Sequence, residues 1–478
     1  MKHILDAAWR AFREGRNLEA EAICRGLALL DSRDAGLCLL LGRILSAQGG
    51  GDETITWLQK ATELEPRSAE AWDALGTAYG ARRDYPRAAG CFARILKINP
   101  RDAEAHRSLG TAYQQMGENE KAVSLFRKAL ELNPTDHVSW NNLGKAFKEL
   151  NELTEASAAY DRALDIEPES PVAHCNRAMT SLLAGRLAEG FREYEWRWRL
   201  LTPRQYPQPR WNGEPMDDKT LFIHAEQGLG DSIQFVRFVP QAKARAGRVI
   251  LECQPPLKRL FQTSGCANVV TAFGDSVPPF DAFVPLMSLP AVLGTTLETI
   301  PSHVPYLAPT AKDDLPAMPA DLLRVGLAWA GSAGHGNDAW RSIRLVEFAP
   351  VLQTPGVTFV SLQVPLPSQD EAAFRALPKM LDITRHLGDF ADTAGVIDQL
   401  DLVISVDTAT AHLAGALGKP TWTLVPYCPD WRWGLESANT PWYPTMRLFR
   451  QGARNQWQTT LVSMAQELRR WRPFRDVA

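Results

Sequence analysis

LGTAYQQMGENEKAVSLFRKALELNP, residues Leu109 to Pro134, sets a glycine, an aromatic, a small residue, a second aromatic and a closing proline at spacings that recur along the chain. Gly42, Gly76, Gly110 and Gly144 lie 34 residues apart, and Pro66, Pro100, Pro134 and Pro168 keep the same step. Between them fall Tyr79, Tyr113 and Phe147, then Ala88, Ala122 and Ala156, then Phe92, Phe126 and Tyr160. Small residues where two helices must touch, and aromatics where they interlock, predict helical hairpins. Each hairpin buries its apolar face only by stacking on the next.

The pattern resembles the tetratricopeptide repeat. The resemblance covers roughly residues 1 to 200 as about six hairpins, with a degenerate first unit around Ala20 and Cys24 and a last one around Ala178 and Tyr194. It implies a superhelix whose groove suits extended polypeptide. The position two before each repeat glycine is Leu40, Ala74, Ser108, Asn142 and Asn176. Asn142 and Asn176 are therefore candidate acceptor-binding residues, and hydrogen bonding along the helix surface is the alternative role for their amides.

A chain of 478 residues exceeds one ordinary core, and 45 % hydrophobic with 22 % charged residues fits a soluble globular protein. A net charge of −3 gives no global case for nucleic-acid or anionic-membrane binding. The N-terminal stretch carries charges too early for a signal peptide and no apolar run reaches spanning length, so a cytoplasmic location is expected. The 7 cysteines form no CxxC pair and read as reduced, buried hydrophobes. No metal site is legible.

Helical periodicity ends after FREYEWRWRL, where prolines and a glycine mark a linker over 201–219. Trp196, Trp198 and Trp211 read as an apolar seam beside it. Beyond it LFIHAE, RVILEC and DAFVPL are β-rich runs, and the alternation restarts at RVGLAWA, VTFVSLQV, DLVISVD and PTWTLVP. Strands alternating with helices predict parallel sheets and two Rossmann-like halves, over 220–310 and 311–478, with PTAKDDLPAMPAD as the hinge. Loops after strands are where ligands bind in such sheets.

Three of those loops carry chemistry. In EQGLGD the glycines Gly228 and Gly230 allow a close backbone approach to a ligand, and Asp231 with Gln234 also makes a capping box. In VDTATAH, Asp407 and Thr408 stand where a helix offers free N–H groups to a phosphate, and a plain cap is the alternative. His412, one turn on, fits a ligand contact or a packed core histidine. In AWAGSAGHGNDAWRSIRL, Gly331, Ser332, His335, Asn337, Asp338, Arg341 and Arg344 make a glycine-rich loop with arginines suited to phosphate oxygens; a solvated loop is again the alternative. Trp431 and Trp433 read as core before they read as stacking surfaces.

EQGLGDSIQF, WAG…ND…RSI, LDLVISVDTATAHLAGALGKPTW and the CPDWRWG and NTPWYPTMRLFRQ stretches together resemble the bacterial tetratricopeptide glycosyltransferases. The C-terminal half is similar to the ADP-heptose:lipopolysaccharide heptosyltransferases, and the domain plan is similar to O-linked N-acetylglucosamine transferase. The resemblance implies an all-α repeat superhelix followed by a GT-B fold of two Rossmann-like domains, with the nucleotide sugar held by the C-terminal half and the acceptor by the N-terminal half. It implies inverting transfer with no metal and no cofactor beyond the nucleotide-sugar co-substrate. Asp231 matches the family's proposed catalytic base, with Glu226 and His224 as alternatives close in sequence. Asp407, Thr408 and His412, with Ala409 between them, match the family's donor-binding segment. The family's phosphate-binding lysine has no match, and Arg341 is the nearest cationic candidate. The domain plan implies a protein acceptor, flagellin or another surface polypeptide, selected by the repeat groove, with no nucleic-acid partner. A non-catalytic scaffold with a degenerate transferase half, or a transferase acting on lipopolysaccharide or oligosaccharide, are the competing functions.

Overall fold

The computed structural model describes residues 2–472 apart from 313, 320, 333, 335, 337, 378 and 379. His335 and Asn337, named above, lie outside the described residues. The chain divides into two compact units, Met1–Arg177 and Ala178–Ala478.

The first unit is built of paired helices, and the 34-residue step governs every joint in it. Where a first helix carries the repeat glycine, the second carries a large side chain directly against it. A Cβ at Gly76 would come within 2.8 Å of the Phe92 ring, at Gly110 within 2.8 Å of Phe126, and at Gly144 within 2.7 Å of Tyr160. At Gly42 the partner is Leu58, at 2.5 Å. Close-packed interiors do not absorb such overlaps, so glycine is what lets each hairpin close.

The same step sets the helix ends. Asp34, Ser68, Asp102 and Asp136 each stand before a first helix, and their side chains accept from Leu37, Ala71, Ala105 and Ser139 backbone N–H groups. After each of those helices a left-handed residue turns the chain: Gly49, Arg83, Gly117 and Asn151, with φ between 61° and 79°. The carbonyls of Pro66 and Pro134 accept from the indoles of Trp72 and Trp140, which ties each inter-hairpin turn to the following helix.

Along three successive first helices the amides bond one another. Asn176 donates to Asn141 at 2.9 Å, Asn141 to Asn142 at 3.3 Å and Asn142 to Thr111 at 3.4 Å. These are the helix-surface hydrogen bonds that the sequence left open beside a ligand contact.

The second unit opens with the end of helix Pro171–Leu183 and with helix Leu187–Glu193. Two sheets follow. The first has parallel strands β1 (Met216–His224), β2 (Ala246–Cys253), β3 (Val269–Ala272) and β4 (Ala282–Pro285) in the order β3-β2-β1-β4. The second has β5 (Leu323–Ala328), β6 (Val357–Ser361), β7 (Met380–Asp382), β8 (Leu402–Val406), β9 (Thr421–Val425), β10 (Asn439–Thr440) and β11 (Tyr443–Arg450) in the order β10-β11-β9-β8-β5-β6-β7. Among the described residues of this sheet only the β10–β11 pair is antiparallel. Central strands such as β8 and β9 are buried throughout, as the continuous apolar runs LVISV and TWTLV require. Helix Gln458–Arg470 covers the second sheet with Leu461, Met464 and Leu468. Among the described residues twelve α-helices precede β1, and parallel α/β sheets follow, consistent with GT-B.

Candidate active site

Strand β1 hands the chain to the EQGLGD loop at its carboxyl end, and helix Leu229–Phe235 starts two residues before Asp231. Asp231 is thus the third residue of the helix and not its cap. Its Oδ2 accepts from the Gly228 N–H at 2.9 Å, the reaching-back half of a capping box. Its Oδ1 is ion-paired with Arg432, from the segment after β9.

Arg432 is the hub of the site. Its side chain is only 8 % exposed, and its guanidinium also donates to Asp430 at 2.8 Å and to the Gln234 side chain. Burying an arginine is tolerated when its donors are filled by carboxylates and amides, as here. The surrounding carboxylates push its pKa up further. The neighbouring Arg237 does related work, donating to the Trp442 carbonyl at 2.6 Å and to the Tyr306 hydroxyl at 2.9 Å. It lies over the rings of Tyr306 and Tyr443 at 4.6 and 4.5 Å.

Opposite the Asp231 helix stands helix Ala409–Ala416, which follows β8. A Cβ at Gly230 would come within 3.0 Å of the His412 ring and 3.5 Å of the Ala409 Cα. The two helix starts therefore lie close at Gly230, where a side chain would press on the His412 ring. Thr408 precedes the second helix without capping it; its hydroxyl lies 3.1 Å from the Ser405 hydroxyl instead. Free N–H groups and the dipole at such a terminus favour an anion.

Asp407 closes the strand beside this terminus. Burial, reinforced by the charge of Asp430, pushes its carboxyl up to about 6, against the pull of Arg341 and Arg432. His412 is buried and held neutral, its pKa well below the usual value through burial and the nearby arginines. It bonds the Tyr443 hydroxyl at 2.9 Å and stacks on Trp433 at 5.3 Å, with Asp407 at 4.0 Å. Trp433 and Trp431 are both buried in aromatic packing.

Arg341 donates to the Asp407 carbonyl at 3.0 Å, which brings the glycine-rich loop to the same place. A Cβ on Gly331 would lie 2.6 Å from the Arg341 guanidinium and 2.7 Å from Asp338, so this glycine too marks a close approach. Ser332 is exposed beside it. Arg344 is turned away to Asp370, at 2.8 Å, and to the Gln369 carbonyl.

The structure brings together Asp231, Gly228, Gly230, Arg341, Gly331, Asp407, Thr408, Ala409 and His412. Glu226 and His224 have other company. Glu226 accepts from buried Arg197 at 3.0 Å and from the Met287 N–H at 3.2 Å, and burial raises its pKa to about 7. His224 packs against Phe222, Phe283 and Tyr206, and burial lowers its pKa to about 4. Arg432 was not singled out from the sequence; the signal was an arginine flanked by two tryptophans and preceded by an aspartate in PDWRW. Among the described residues no group of three or more His, Cys, Asp or Glu side chains has metal-holding geometry, and no helix is long and apolar enough to cross a membrane.

Residues 340–460, which include Arg341, Asp407, His412 and Arg432, match the profile of glycosyltransferase family 9 (heptosyltransferase). Residues 74–137, 125–156 and 144–180 match tetratricopeptide-repeat profiles. Tetratricopeptide-repeat profiles and the glycosyltransferase family 9 profile thus match successive parts of the chain. Among curated proteins it is similar to Protein FlbA of Caulobacter vibrioides, at 30 % identity over 61 % of this chain and 54 % of FlbA. The chain therefore spans about half the length of that relative. Among solved structures it is similar to MamA, at 24 % identity over 35 % of this chain and 92 % of that one, with a TM-score of 0.33. It is also similar to YrrB, described as a TPR protein with an unusual peptide-binding site, at 19 % identity over 37 % of this chain and 91 % of that one, with a TM-score of 0.32.

Proposed function

We propose that the protein is an inverting glycosyltransferase that moves a sugar from a nucleotide-sugar donor to a hydroxyl of a polypeptide acceptor. The observation that carries this reading is the meeting of Gly230, the residue before Asp231, with Ala409 and His412 at an uncapped helix N-terminus.

In this reading the donor diphosphate lies at the start of helix Ala409–Ala416, where backbone N–H groups and Arg341 offset its charge. Asp231 takes the proton of the acceptor hydroxyl as that oxygen bonds to the anomeric carbon. The bond from that carbon to the diphosphate oxygen breaks on the opposite face, and the electron pair leaves with the nucleotide. Arg432 holds the Asp231 carboxylate in place through their ion pair. Asp407 is the group whose charge opposes a bound diphosphate, and its raised pKa lets it take up a proton near neutral pH. His224, neutral at the carboxyl end of β1, and Glu226, ion-paired with Arg197 two residues on, support the loop in this reading and do not abstract the proton. The repeat array selects the acceptor, with Asn142 and Asn176 exchanging their hydrogen bonds to Thr111 and Asn141 for those of a peptide backbone.

Intact-mass analysis tests the reading. The protein is incubated with acceptor polypeptides from cell extract and a set of nucleotide sugars. A hexose- or heptose-sized increment on one polypeptide, absent with Asp231→Asn, supports it; no increment with any donor contradicts it.

A further inference from the structure

Helix Asn17–Leu30, the second of the first hairpin, turns an apolar stripe to solvent. Leu18 is 79 % exposed, Leu29 89 % and Leu30 77 %, and the small residues Ala22 and Gly26 lie exposed between them. Helical spacing puts Leu18, Ala22, Gly26 and Leu29 on one face.

The later hairpins keep that face polar. At the 34-residue step the positions of Gly26 and Leu29 hold Lys60 and Glu63, Arg94 and Lys97, Lys128 and Glu131, and Arg162 and Asp165. Lys128, Glu131, Arg162 and Asp165 are all exposed, in hairpins that have others on either side. Stacking of repeats therefore does not cover this face, and a further hairpin ahead of the first would still leave Leu18 and Leu29 in water. Nor does the fold require Gly26. A Cβ there would meet nothing within 4 Å, and glycine inside a helix is destabilising relative to alanine. What it permits is the close approach of another backbone.

The charges at the two ends of the stripe indicate what covers it. Glu14 and Arg16 precede the helix, and Asp31 and Arg33 follow it. Arg16 is ion-paired with Glu14 and Glu19, whereas Asp31 accepts the Arg33 backbone N–H and, like the Arg33 guanidinium, makes no ion pair among the described residues. Laid antiparallel on its own copy, the helix sets Leu18 against the partner's Leu29 and Ala22 near the partner's Gly26. The same register sets Arg16 towards the partner's Asp31 and Glu14 towards the partner's Arg33. Each charge then faces its opposite, and the small residues lie at the two-fold axis, where the helices cross. Parallel pairing would set like against like.

We propose that the face formed by Leu18, Ala22, Gly26 and Leu29 is the two-fold interface of a homodimer, made by antiparallel packing of helix Asn17–Leu30 on a second copy of the chain. It goes beyond the transferase reading and does not depend on it. Two such faces together cover on the order of 1,000 Å², the lower edge of specific interfaces, so the dimer is reversible, with a dissociation constant of about 10 µM.

Sedimentation velocity of the full chain, at concentrations on either side of that constant, tests this. Gly26→Lys/Leu29→Glu gives the first hairpin the residues that the second carries, and should weaken the dimer about tenfold or more. Both positions are exposed and the change at Gly26 favours helix, so the variant folds, which far-ultraviolet circular dichroism checks. Leu18→Lys/Leu29→Glu, which antiparallel pairing sets as opposite charges, should dimerise about tenfold more tightly than Leu18→Glu/Leu29→Glu, which it sets as like charges. The proposal is overturned if the parent is monomeric throughout, if Gly26→Lys/Leu29→Glu dimerises like the parent, or if the two charge variants associate alike. A monomeric parent that pellets with phosphatidylglycerol vesicles through Leu18 and Leu29 would assign the face to a lipid surface, and overturns it equally.

Discussion

Arg432 reaches 201 positions back along the chain to ion-pair with Asp231. The contact joins the two sheets of the α/β unit through one buried guanidinium, and it ties the candidate base to the family 9 segment, which does not itself contain Asp231.

Removing the guanidinium leaves Asp231 and Asp430 without their common partner. Arg432→Leu is expected to destabilise the α/β unit by about 3–5 kcal/mol, the range for breaking one side of a buried pair. Thermal unfolding followed by tryptophan fluorescence reads the loss. Arg432→Lys should recover part of the stability but not the fork that serves Asp231, Asp430 and Gln234 together.

The repeat glycines predict a local result in the array. Gly110→Val places methyl groups where the Phe126 ring lies, and should cost about 1–3 kcal/mol by overpacking. The double variant with Phe126→Leu should recover part of that loss. Urea unfolding by far-ultraviolet circular dichroism measures both, and equal stability of parent and Gly110→Val would count against the interlock.

Donor binding should depend on pH through Asp407. Its carboxyl is raised above the ordinary aspartate value to about 6, so the group is charged above that pH and protonated below it. The negative charge opposes a diphosphate, hence affinity for a nucleotide sugar should rise as pH falls from 7.5 through about 6. Asp407→Asn should bind at pH 7.5 as tightly as the parent binds below pH 6, with a flat profile. A profile unchanged by the substitution would show that another group titrates.

Much of the array was legible because its geometry repeats with the sequence. Gly76 and Phe92 recur at one step, and so do the caps Ser68, Asp102 and Asp136, whose period is as plain as that of the glycines once the helix starts are known. The turn residues were harder, since Arg83 and Asn151 adopt the left-handed conformation that glycine holds at the equivalent positions 49 and 117. Strands β1, β2, β4, β5, β6, β8 and β9 were visible as apolar runs, whereas β7 and β10, at 3 and 2 residues, are too short to show a period, and β3 and β11 were passed over. The site loops were found by their position after strands. Arg432 was missed because a buried charge is recognised by its partners, and Asp231 and Gln234 lie far away in sequence. Asp231 and Gln234 were paired in the wrong capping geometry for a similar reason: the helix begins at Leu229, with glycine at its cap, and Gln234 is engaged by Arg432.

The central claim is that the start of helix Ala409–Ala416, with Arg341 beside it, is built to hold a diphosphate. Calorimetric titration of ADP, UDP and GDP into the full-length parent and Arg341→Gln tests it most directly. At least one nucleotide should bind the parent, about tenfold more tightly than it binds the variant. No binding by any of them, or equal affinity in parent and variant, would contradict it.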